Sequence, residues 1–149
     1  MCTLAIDSLV GKPLYQRMKC HGYEAIIQTA MRECGVKTRK RADELLDAFL
    51  QWFALIPLAS PEHPLQMARS VDRIWHAMVL NTVFYRDFCR RFAGSFIDHN
   101  PLDVESNSQE QKQEYAQYTL ALLAEEFGTE VSLDLLDMTQ DITCCIGCG

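Results

Sequence analysis

The chain has 149 residues, 48% of them hydrophobic and 23% charged, with a formal net charge of −6. That is the composition of one folded domain with a real core, and the acidic balance argues against a nucleic-acid-binding surface. No run approaches the ~18 apolar residues of a membrane span.

Residues 1–19 are weakly patterned, and Leu4, Ile6, Leu9 and Val10 are available to pack on the body as an irregular arm or a short helix. Asp7 interrupts the apolar run that a secretory signal would need, so the expected location is cytoplasmic. Tyr23, Ile26, Ile27, Ala30, Met31 and Cys34 then share one helical face, which ends at Gly35. The basic run Lys37–Arg41 reads either as a phosphate-binding patch or as a solvated turn. The overall charge favours the turn, with Thr38 capping the next helix. Ala42, Leu45, Leu46, Phe49, Trp52, Phe53 and Ile56 form the longest apolar stripe and predict the central helix, stopped near Pro57. Residues 57–69 hold three of the five prolines and read as a connector, with His63 exposed.

Val71, Ile74, Trp75 and Met78 recur at helical spacing behind Ser70, a good N-cap. Asp72 suits the first turn, where the helix dipole favours negative charge. Asp72 and His76 are four apart and therefore neighbours on one face. Asn81 and Thr82 restart the chain. Phe84, Tyr85, Phe88, Cys89 and Phe92 make a second stripe, with Arg90 and Arg91 in its last turn and Gly94 as a C-terminal cap. Phe96, His99 and Pro101 follow in an irregular exit loop. After a polar stretch, Ser108 and Gln111 fit a capping box. Tyr115, Tyr118, Thr119, Leu122, Leu123 and Phe127 continue a long helix that ends at Gly128. Leu133 to Met138 predict one more turn, and Thr139–Gly149 has no periodicity. No strand is predicted. The expected fold is all-α: a single-domain bundle of about five main helices over residues 1–138, then a flexible cysteine-containing tail over 139–149.

The stretch Ser70–Pro101 carries a family resemblance. V-D-x-x-W-H, a leucine, T-x-x-Y-x-x-F-C and G-x-F-x-x-H-x-P are formed by Val71, Asp72, Trp75, His76, Leu80, Thr82, Tyr85, Phe88, Cys89, Gly94, Phe96, His99 and Pro101. The string resembles the glycine-rich domain-containing protein-like family. That resemblance implies a short helical domain with a cysteine- and glycine-rich tail, and it implies no particular activity. Some family members carry a histidine two residues after the tryptophan–histidine pair, where this chain has Met78.

Two sets of residues carry candidate metal chemistry. Cys144, Cys145 and Cys148 include a C-x-x-C pair, a spacing that lets two thiolates reach one zinc or copper(I) ion. A complete structural zinc site has four ligands, so Cys89, His76, His99 or a second chain would supply the fourth. Asp72, His76 and His99 are the second set, a two-histidine, one-carboxylate combination that suits zinc or iron(II). The structural alternative is that Asp72 caps and pairs, His76 bonds to backbone and His99 anchors its loop. Cys89 lies on an apolar face and reads as core. Trp75, Phe84, Tyr85, Phe88, Phe92 and Phe96 read as core, and Arg86, Arg90 and Arg91 as a solvated edge.

Three functions follow from these residues. The first is a cytoplasmic helical binding or adaptor module for a protein partner, with the tail thiols as a metal or redox appendage. The second is a small metal-dependent enzyme using Asp72, His76 and His99, with zinc or another transition metal as cofactor. The third is a carrier whose cysteine tail is modified by another enzyme. The seven cysteines are odd in number and scattered, so they are expected to be thiols or ligands rather than disulfides.

Overall fold

A computed structural model describes residues 9–60, 62–99, 108–139 and 142–146, with side chains described up to residue 138. Seven helices and two strands follow in order: α1 (Lys12–Met18), α2 (Glu24–Glu33), α3 (Arg39–Phe53), β1 (Leu65–Ala68), α4 (Arg69–Leu80), α5 (Thr82–Ala93), α6 (Gln109–Phe127), α7 (Leu133–Leu136) and β2 (Ile142–Ile146). The five long helices α2 to α6 are those expected from the apolar stripes. Among the described residues, no helix is long and apolar enough to cross a membrane.

Local signals set several boundaries. The Thr38 side chain accepts from the Arg41 amide and starts α3. Ser108 and Gln111 form a reciprocal capping box at α6, and Gly94 ends α5 with φ 77, a left-handed conformation that glycine adopts without a Cβ clash. The basic run is tied into the fold. Arg39 pairs with Glu24, and Arg41 holds Asp134 at 2.7 and 3.0 Å and Glu44 at 3.1 Å. Thr38 thus caps α3 as expected, and Arg41 links the start of α3 to α7.

The core is one cluster with α3 at its centre. Phe49, Trp52 and Phe53 are fully buried. Trp52 stacks toward Trp75 of α4 at 5.1 Å between centroids, and Phe53 meets Phe88 of α5 at 4.7 Å. α4 packs against both α2 and α3.

Three local expectations change, and in the N-terminal stretch the short-helix alternative is the one found: Pro13 sits in the first turn of α1, where its missing N–H costs nothing, and Leu14 and Met18 are buried. Residues 1–8, including Leu4 and Ile6, lie outside the described residues. Ser70 is not the cap of α4. β1 runs straight into the helix, so Ala68 takes that position with no side-chain cap. Phe96 is 56% exposed, although its ring meets Tyr85 at 5.3 Å. Cys20 is disulfide-bonded, against the expectation of thiols, whereas Cys34 and Cys89 are free.

The largest difference is a two-stranded antiparallel ribbon. Leu65 pairs with Ile146, Gln66 with Cys145, Met67 with Cys144 and Ala68 with Ile142. β1 arises in the proline-rich connector and β2 in the expected tail. Every residue of β1 is buried, so no alternation could announce it. The edge of β1 facing away from β2 is covered: the Gln66 carbonyl accepts from Trp52 Nε1 at 2.6 Å, and its amide donates to Thr119 Oγ1 at 2.9 Å. Backbone groups that an exposed edge would leave to solvent are thus satisfied by α3 and α6.

The Gln66 side chain is fully buried, and among the described residues neither amide atom has a hydrogen-bond partner. An unsatisfied buried polar group costs about 1–3 kcal/mol. Gln66→Met is therefore expected to raise the unfolding free energy by a comparable amount, read by circular dichroism as a higher urea midpoint with an unchanged m-value.

Candidate metal centre

The site is built at the corner between α4 and the loop after α5. Asp72 lies in the first turn of α4 and His76 one turn on, so both side chains leave the same face. His99 arrives from the loop, and its position depends on a relay of hydrogen bonds. Trp75 Nε1 donates to the Tyr85 hydroxyl at 2.9 Å, and the hydroxyl donates to the Ile97 carbonyl. Gly94 turns the chain back, the Tyr85–Ile97 bond pins the returning segment, and His99 follows two residues later. Its ring packs edge-on against Trp75 at 4.3 Å between centroids.

The result is a buried carboxylate between two imidazoles. His99 Nε2 lies 2.7 Å from Asp72 Oδ1, and His76 Nε2 lies 3.0 Å from Asp72 Oδ2. The Asp72 side chain is 7% exposed, His99 12% and His76 53%, so the site opens to solvent on the His76 side. A carboxylate this enclosed is costly unless its charge is compensated. One donor atom from each of the three residues falls within 4.8 Å of the others. Tetrahedral zinc with bonds of about 2.0 Å needs ligand atoms about 3.3 Å apart. The two carboxylate–imidazole separations, 2.7 and 3.0 Å, run to different oxygens of Asp72 and are hydrogen-bond distances, so the donor atoms would have to move apart by a few tenths of an ångström to share one ion. The three residues form a group that could hold a metal ion.

Beside the histidines lies a pocket of ≈ 380 Å³, whose described lining residues are Glu33, Cys34, His76, Val79, Leu80 and His99. The end of α2 and the end of α4 form its walls. Burial pushes the Cys34 thiol up from its usual range, and the Glu33 and Asp72 charges add to that, so it stays protonated at neutral pH.

Of the residues singled out in the sequence, Asp72, His76 and His99 converge. Cys89 is fully buried, and burial likewise pushes its thiol up, so it is a core residue and no activated nucleophile. Cys144 and Cys145 lie in β2, opposite Met67 and Gln66, and Cys148 lies outside the described residues, as does Pro101. His63 is exposed and stacks on Tyr118 at 4.7 Å. Glu33, Cys34 and Leu80 were not picked out as pocket residues. Cys34 and Glu33 come from α2, some forty positions before His76, and no local pattern marks that approach.

Comparison with curated proteins and with solved structures finds no match. A family model described as UCP032817-like matches residues 16–130, which take in α2 through α6 and all of Asp72, His76 and His99, and stop short of Cys144. With well over half of its length matched, the chain belongs to the UCP032817-like family.

Proposed function

We propose that this domain is a small metal-dependent enzyme whose cofactor, zinc or a similar divalent transition metal, is held by Asp72, His76 and His99. The observation that carries this reading is the convergence of two imidazole nitrogens on the two oxygens of one buried carboxylate, beside an open pocket. Three protein ligands with positions left for water or substrate are the pattern of catalytic zinc, whereas structural sites close with four. Bound there, the ion would supply Lewis acidity and a water activated near neutral pH. Asp72 contributes the charge, His99 is fixed by the Trp75–Tyr85–Ile97 relay, and the exposed His76 closes the set.

Zinc that binds the folded chain and not the unfolded chain stabilises it, by about 2.7 kcal/mol when free zinc is 100 times the Kd. Thermal unfolding of the full chain with graded zinc is therefore expected to show a Tm that rises once zinc exceeds one equivalent and then climbs with the logarithm of free zinc. No rise, or the same rise after His76→Ala with His99→Ala, would count against the proposal.

A second reading has its own support. Each carboxylate oxygen already has an imidazole nitrogen at hydrogen-bond distance, which suits a structural corner in a binding or adaptor module for a protein partner. That module needs no ion, and its Tm would not respond to zinc.

A further inference from the structure

The pocket beside the proposed metal centre has a chemistry of its own. Two of its described lining residues, Val79 and Leu80, are apolar, and Leu80 is 61% exposed. The lining also carries the exposed carboxylate of Glu33 at the last turn of α2, where the carbonyl end of the helix adds negative potential. Arg73 donates to the Gly35 carbonyl at 3.3 Å, and Glu33 is the one carboxylate among the described lining residues. The volume, ≈ 380 Å³, lies at the small end of the range for ligand sites.

We infer that this pocket binds a small ligand with three parts: a metal-binding acyl head, a short branched apolar body and a protonated amine. This inference rests on the proposed metal centre. The head occupies the open coordination positions beside His76 and His99, the body lies on Val79 and Leu80, and the ammonium faces Glu33. A derivative of an apolar amino acid has that chemistry, and an anionic ligand of the same size does not.

The test uses the full chain loaded with one equivalent of zinc, with zinc uptake measured first by competition with a chromophoric chelator. Leucine hydroxamate and glycine hydroxamate share head and α-amine, so their affinity for free zinc is nearly matched; 4-methylpentanohydroxamate lacks the amine, and its binding is compared after correction for its own hydroxamate pKa and free-zinc affinity. Burying two methylenes is worth roughly tenfold. Leucine hydroxamate is expected to bind at least about tenfold tighter than glycine hydroxamate, and Leu80→Ser to remove most of that preference. It should also bind several-fold tighter than the probe without an amine, a preference that Glu33→Gln removes. Equal binding of all three probes to a chain that does take up zinc would overturn the pocket assignment and leave the metal centre standing. No zinc uptake would overturn both.

Discussion

Asp72→Asn is expected to lower zinc affinity at least about 100-fold while the helical content of the domain is retained. Loss of a residue that merely orients a ligand costs 10–100-fold in metal affinity, and Asp72 is placed to do more. It supplies the one negative charge of the set, and its two oxygens are what both imidazoles approach, at 2.7 and 3.0 Å. Asparagine keeps the size of the side chain and its place in the first turn of α4. It removes the charge and turns one acceptor oxygen into a donor nitrogen. The variant therefore separates metal binding from folding: a competition titration should show weakened binding beside an unchanged circular dichroism spectrum. Zinc binding as tight as in the parent chain would place the ion elsewhere.

Trp75→Ala is expected to cost about 3–5 kcal/mol of stability, the usual range for deleting a buried large aromatic. Against the 5–15 kcal/mol typical of a whole domain, that leaves a marginal fold. Trp75 is fully buried, packs on Trp52 and His99, and holds the Tyr85 hydroxyl through its indole N–H. Tyr85→Phe isolates the polar part of the same unit. It keeps the ring in the core but leaves the indole N–H unpaired and frees the Ile97 carbonyl, at a cost of about 1–3 kcal/mol. Because that relay positions the loop bearing His99, Tyr85→Phe should also weaken zinc binding. Urea denaturation and zinc titration on both variants check the pair of effects. A Tyr85→Phe chain with full zinc affinity would show that the relay serves the core alone.

The parts of this account legible in the sequence are those that depend on neighbours along the chain. The apolar stripe from Ala42 to Phe53 marks α3 because a helix repeats within fifteen residues, whereas Ile56 falls in a 3-10 turn beyond its end. Thr38, Gly94 and the Ser108–Gln111 pair mark boundaries through contacts of three or four residues. The adjacency of Asp72 and His76 is of the same kind. What could not be read depends on distant partners. β1 is four buried residues whose pairing partner lies some seventy-five positions later. His99 meets Asp72 only because Gly94 turns the chain and Tyr85 pins Ile97, a tertiary arrangement that the spacing of the two residues does not encode. The start of α4 moved from Ser70 to Ala68 because a strand feeds the helix directly, and the N-terminal stretch stayed open between arm and short helix because α1 offers a single turn of apolar periodicity.

The decisive measurement is zinc-edge X-ray absorption on the full chain loaded with one equivalent of zinc. If Asp72, His76 and His99 hold the ion, the first shell should contain nitrogen and oxygen only, at about 2.0–2.1 Å, with the scattering pattern of two imidazoles. A shell dominated by sulfur at about 2.3 Å would put the ion on cysteines and contradict the account. A chain that retains no zinc would contradict it equally.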